Sequence, residues 1–338
     1  MFYNIQALRG IAALLVLFHH SLPHFKAMNI SNIVFESIAK FGFLGVDIFF
    51  VISGFVMAKT TIGKPQNLNA SVQFILKRFL RIFLGFWPIM LLALIYYYLF
   101  NPSYLDNKEI VQSLLLVNAN MFDLVIAPAW SLTYELYFYL IVAFVLLSAK
   151  LKPQLLFGTF IVFIVFKIVY STFGQNKLLD FFFSALVLEF IAGYALFFYL
   201  DKLTNKNFMV VILLATIGFL YLAINFNITY GHMRVLTYGV FSLLIVWLFV
   251  SLEKNSILTL KGMFKSLGDS SYTLYLTHTV LLGMLYTIGL RDYLVGVDFA
   301  MIGFIIYLIL IVTFSWVLYK VVELPLYTTV KKHWIKSD

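Results

Sequence analysis

The chain is predicted to be all-α: a polytopic membrane bundle of about ten transmembrane helices with both termini cytoplasmic. Three observations predict this. Of its 338 residues, 62% are hydrophobic and 12% charged, and the mean hydropathy is +0.96. A soluble domain carries about 25% charged residues, and one water-soluble core cannot hide this much apolar surface. The apolar residues come in continuous runs long enough for a hydrocarbon layer about 30 Å thick, not in the alternating segments of an outer-membrane barrel. Lys and Arg follow the bias of cytoplasmic loops, with 17 of the 24 on one side of the predicted spans and 7 on the other. That bias absorbs the net charge of +9. Membrane lipids are the expected surroundings, and no nucleic acid is expected.

The predicted spans fall roughly at 7–25, 41–59, 82–100, 130–148, 155–171, 181–200, 208–224, 235–251, 272–290 and 302–320. The first has one basic residue, no small-x-small cleavage site and two histidines in its apolar stretch, so it is expected to be retained rather than removed as a signal peptide. After the second span, residues 60–81 place apolar and basic side chains at helical spacing behind candidate caps Asn69 and Ser71. This predicts a helix lying on the inner interface. The acidic, partly apolar segment 101–129 is too small to be a domain. With no repeat and no soluble appendage, residues 1–338 are expected to form a single domain. The chain has no cysteine, which excludes disulfides, a cysteine nucleophile and thiolate metal sites.

Five constellations carry polar groups into these spans. Arg9 precedes His20 by eleven residues, about three turns, which sets them on one helix face about 16 Å apart. Ionisable groups inside a membrane are costly and functional by default. His20 either hydrogen-bonds to a neighbouring helix or, since an imidazole can take a proton at neutral pH and return it, activates a hydroxyl. In Gly45-Val-Asp-Ile-Phe-Phe-Val-Ile-Ser-Gly-Phe55, Asp47 either pairs within the bundle or serves substrate, and Gly54 permits close helix approach. Lys77-Arg78-x-x-Arg81 puts two guanidiniums on one face, suited to phosphate or to lipid headgroups. In Trp130-Ser-Leu-Thr-Tyr-Glu135, the glutamate falls at a depth comparable to Asp47 and His20, so a cluster of His20, Glu135 and Asp47 is the candidate catalytic set. Ser271, Tyr275 and His278 form a polar stripe that either lines a cavity or bonds between helices. Glu323-Leu-Pro325 is read as the structural end of the last span. No Walker loop, dinucleotide fingerprint or zinc-ligand spacing is present, so no metal is expected.

Taken in order, these five motifs resemble the acyltransferase-3 family of membrane O-acyltransferases, and the Leu-Thr-Tyr-Glu variant is most similar to its exopolysaccharide acetyltransferase branch. The resemblance covers essentially the whole chain. It implies an acyl donor, usually acetyl-CoA, arriving from the cytoplasm, and a carbohydrate or lipid-linked glycan hydroxyl as acceptor, at a bacterial inner membrane. It implies that His20 is the essential histidine and Glu135 the motif glutamate. Arg9, Arg78 and Arg81 match arginines associated with activity, the latter pair on the donor. Some members carry an extracellular esterase-like domain. This chain is expected to finish transfer without one. The rival class is a non-enzymatic transporter or flippase, for which many spans and intramembrane charge are equally natural.

Overall fold

The structure, a computed structural model, describes residues 2–169, 177–204, 206–226, 231–287, 289, 293 and 299–334. Arg291 and Lys336 of the charge count lie outside these residues, as do 170 and 171 of the fifth predicted span and 288 and 290 of the ninth. Every regular element among the described residues is a helix. The long ones are labelled α1 Tyr3–Ala27, α2 Leu44–Thr61, α3 Leu68–Phe100, α4 Trp130–Leu146, α5 Pro153–Val169, α6 Val187–Phe198, α7 Lys206–Phe226, α8 Val240–Lys254, α9 Ser271–Thr287 and α10 Ala300–Leu318. Among the described residues, eight helical segments are long and apolar enough to cross a membrane. The fifth and ninth predicted spans are helices α5 and α9, of 17 residues each.

Three expectations are corrected. The helix expected to lie on the interface is not separate: α3 runs unbroken for 33 residues, about 50 Å at 1.5 Å per residue. No glycine or proline stands between Asn69 and Arg81, so the basic segment and the span fuse. Its cap is Asn67, whose Oδ1 accepts from Ala70 N at 2.9 Å, while Ser71 donates to the Ala143 carbonyl at 2.7 Å. The sixth predicted span falls on one apolar segment, Leu178–Phe198, but its helix is broken at 183–186. There Ser184 Oγ accepts from Leu186 N at 3.4 Å, the local bonding by which serine competes with helix. The last span does not end at Glu323-Leu-Pro325. From α10 the chain passes through a π-helical turn, Tyr319–Glu323, into a helix Leu324–Trp334. Pro325 thus lies inside a continuous helical run, directly after the π turn.

By contacts, the chain divides into two compact units. The first comprises Met1–Arg9, Val46–Leu76 and Tyr134–Lys265. In it α2 and α6 touch backbone to backbone: a Cβ on Gly54 would lie 1.9 Å from the Phe190 carbonyl oxygen, and one on Gly193 2.0 Å from that of Val51. Small residues at a helix crossing permit this approach, and Phe55, Phe138 and Phe190 fill the core beside it. The start of α1 is tied down by Glu253, whose carboxylate accepts from Tyr3 N at 2.9 Å and Asn4 N at 2.7 Å. An anion there satisfies two N–H groups that the helix leaves open.

The second unit comprises Gly10–Gly45, Lys77–Thr133 and Ser266–Asp338. Phe25 packs on Phe35 and Phe304 with ring centroids 4.6 and 5.4 Å away. Polar pairs join its helices: the hydroxyls of Tyr96 and Thr287 are 2.6 Å apart, and those of Thr277 and Ser315 2.7 Å.

Candidate functional site

In the second unit, helical periodicity presents His20 from α1 and His278 from α9, and the two imidazoles meet. His278 Nε2 lies 3.1 Å from His20 Nδ1. Each ring also uses the i−4 carbonyl of its own helix: His20 Nδ1 is 3.0 Å from the Val16 oxygen, and His278 Nδ1 is 3.2 Å from the Leu274 oxygen. A carbonyl oxygen only accepts, so both Nδ1 atoms carry hydrogen. His20 Nδ1 has one hydrogen, shared between the Val16 oxygen and the lone pair of His278 Nε2. The remaining nitrogen of His20, Nε2, is left with its lone pair. The network thus assigns the tautomer that a proton acceptor needs. His278 is fully buried. His19, one position earlier, is bonded instead to the Ala39 carbonyl at 3.0 Å.

The stripe on α9 resolves in favour of bonding between helices at two positions. Tyr275 donates to the Pro128 carbonyl at 2.9 Å and lies 2.8 Å from Ser131 Oγ. His278 reaches α1, while Ser271 bonds back to Gly268 at 2.7 Å.

Arg81 is held in place. Its Nη1 donates to Glu323 Oε1 at 2.7 Å, and Thr273 donates to the other oxygen of that carboxylate. The guanidinium lies over the rings of Tyr272 and Tyr327 at 5.9 and 5.4 Å. The π turn at Tyr319–Glu323 widens the helix by one residue per turn at the point where Glu323 turns inward. Arg78 stands one turn before Arg81 on α3 and is partly exposed.

In the first unit, Asp47 is fully buried, and both its oxygens are taken by Arg234: Nε donates at 2.9 Å and Nη2 at 2.7 Å. This fork-to-carboxylate geometry is the strongest form of the ion pair. Arg234 ends a short helix, Gly231–Arg234, and a second π turn, Val235–Gly239, follows at once. A Cβ on Gly239 would stand 2.8 Å from Glu189 Oε1. The wide turn and the missing side chain together make room for that carboxyl. Glu189 is buried, no N–H or hydroxyl donates to either of its oxygens, and its carboxyl lies against that of Asp47 and within electrostatic reach of Arg234.

Glu135 brings two sequence motifs together. Its Oε1 accepts from Ser53 at 3.0 Å and from the Tyr139 hydroxyl. Arg9 Nη1 donates to Gln6 at 3.2 Å. His20 therefore belongs to the second unit, and Asp47 and Glu135 to the first, each with partners inside its own unit.

Two residues of this arrangement escaped the sequence. Arg234 looked like one more loop charge, and nothing local marks it as the partner of a residue 187 positions away. Glu189 did carry a signal, a lone carboxylate in an apolar run, of the kind that is functional by default in a membrane.

The comparisons with known proteins follow the same line. The chain is 33% identical over 174 residues to the peptidoglycan O-acetyltransferase OatA of Listeria monocytogenes, a match covering 45% of this chain and 26% of that protein's length. The chain thus spans only about a quarter of that relative. It is 26% identical over 259 residues to the exopolysaccharide production protein ExoZ of Rhizobium meliloti, covering 74% of this chain and 79% of that one. No solved structure matches. The acyltransferase domain model of the third acyltransferase family matches residues 2–320. The chain accordingly belongs to the acyltransferase-3 family, as an acyltransferase built on membrane-spanning helices.

Proposed function

We propose that this enzyme transfers an acetyl group from cytoplasmic acetyl-CoA to a hydroxyl of a cell-surface or lipid-linked carbohydrate, in a bacterial inner membrane and with both termini cytoplasmic. The observation that carries the reading is the pair of imidazoles, His278 donating to Leu274 and accepting from His20, which frees the lone pair on His20 Nε2. His20 Nε2 takes the proton of the sugar hydroxyl as the oxygen attacks the thioester carbonyl. The C–S bond then breaks, and the imidazolium returns its proton to the departing thiolate. Arg78 and Arg81 of the second unit are the proposed donor-binding pair, with guanidiniums matched to the phosphates of coenzyme A, and Arg9 of the first unit is proposed separately as a donor-associated arginine. Glu135 and Asp47 are proposed as positioning residues within the first unit, Asp47 through Arg234 and Glu135 through Ser53 and Tyr139.

The names of the relatives support a polysaccharide acceptor. The test is release of free coenzyme A by the protein in lipid nanodiscs, given acetyl-CoA and de-O-acetylated surface glycan. Acceptor-dependent release that disappears in His20→Ala, at unchanged protein abundance, is the expected result. Glycan movement across vesicles without consumption of acetyl-CoA would instead favour the transporter class.

A further inference from the structure

The first unit carries a cleft of about 360 Å³, whose walls include Lys167, Asp180, Phe183, Ser184, His232 and Arg234. That volume lies within the range of small-molecule sites, about 300–1,000 Å³. Among the described side chains of the wall, its lysine, arginine and aspartate are each paired with an opposite charge. Lys167 Nζ stands 2.9 Å from Asp180 Oδ1, and the Arg234 guanidinium is clasped by Asp47. A phosphate or carboxylate entering here meets no surplus of positive charge, and a cation no surplus of negative charge. Neutral hydroxyls suit both halves of each pair, because an alcohol accepts from the ammonium or guanidinium and donates to the carboxylate. Phe183 supplies an apolar wall for the C–H face of a ring.

The polar floor is rigid. Arg234 has 14% side-chain exposure and is fixed by two bonds to a fully buried Asp47. The wall is tied to the helix that bears Glu135: Tyr137 donates to the Phe182 carbonyl at 3.1 Å, and Tyr134 packs on Phe181 with ring centroids 4.8 Å apart.

We propose that this cleft seats neutral pyranose units of the acceptor glycan, with Arg234 as the anchoring donor and Asp47 as the residue that positions it. The word acceptor rests on the transferase reading above. In the proposed orientation Lys167, Asp180 and Arg234 face outward, the side from which a surface glycan arrives.

The absence of cysteine makes a direct test possible. Ala185→Cys places a single thiol in the cleft wall, and Ile168→Cys, also in the wall, serves as the second variant. Each is treated with a membrane-impermeant maleimide in intact cells, and then in membranes containing no acetyl-CoA. The membranes are assayed with de-O-acetylated neutral glycan fragments and, separately, with polygalacturonate fragments. We expect labelling from outside. We expect neutral fragments to slow it about tenfold at ten times the half-protecting concentration, by simple mass action, and polygalacturonate to protect less. Labelled protein is expected to lose transfer relative to the same variant unlabelled. Failure of the reagent to reach either thiol from outside, equal labelling with and without neutral glycan, better protection by polygalacturonate, or full transfer by labelled protein would each overturn the proposal. Protection is read without the acyl donor, so the two readings fail separately. Protection without release of coenzyme A from the unlabelled chain would sink the transferase reading, whereas release without protection would sink the cleft.

Discussion

His278 accepts a hydrogen bond from His20 across 3.1 Å, and it does so only because its own Nδ1–H is committed to the Leu274 carbonyl. Orientation of His20 therefore depends on a second imidazole rather than on a carboxylate within that unit. Replacing His278 with Ala should lower kcat by about 10–100-fold, the usual worth of a partner that orients a functional imidazole, with the donor KM little changed. Gln at the same position offers an amide oxygen to His20 Nδ1–H and should recover part of the rate. Equal losses in the two variants would reduce His278 to a packing residue.

Arg81 and Glu323 are expected to behave as a pair. Removing either one alone strands a charge in a poorly solvated setting and should cost up to about 3 kcal/mol, whereas removing both for apolar residues of similar volume should restore much of the stability. Thermal unfolding in detergent reads this cycle. Activity reads something different: the double variant should still show a raised donor KM, because the guanidinium next to Arg78 is gone. A double variant with the normal donor KM would remove Arg81 from the donor set.

Glu189 offers two buried oxygens that no group donates to. Burying a polar group without a partner costs on the order of 1–3 kcal/mol. Glu189→Gln places an amide N–H₂ beside Asp47 and should raise stability in thermal unfolding, while Glu189→Ala should lower it by leaving a hole. A destabilised Gln variant would mean that the negative charge itself is needed beside Arg234.

Gly54 and Gly193 let α2 and α6 touch through bare backbone. A methyl at either site meets a carbonyl oxygen that cannot rotate away, so Gly54→Ala should destabilise by about 1–3 kcal/mol or more, as overpacking does. The melting temperature of the purified variant decides this. An unchanged value would show that the crossing can open freely.

The helical class was legible because it rests on composition and run length, which need no partner. His20, Asp47, Glu135 and the arginines were legible as ionisable groups in apolar surroundings. Their partners were not. Asp47 finds Arg234, Glu135 finds Ser53, and Arg81 finds Glu323 across 187, 82 and 242 positions. No periodicity within one segment carries such information. The boundary errors have a common origin as well. Fusing the basic segment to its span, and carrying the last span past Pro325, both depend on helix continuing wherever nothing stops it. The break at 183–186 depends on one serine choosing a local bond.

The length of α3 has a consequence for how the enzyme meets its lipids. A rod of 33 residues is about 20 Å longer than a hydrocarbon core, so it must tilt or stand proud of the surface. Arg78 and Arg81 ride on that helix, with Pro88 between them and Phe100. Thicker or thinner acyl chains would shift both guanidiniums along the membrane normal together, and turnover in defined vesicles should pass through an optimum as lipid chain length is varied.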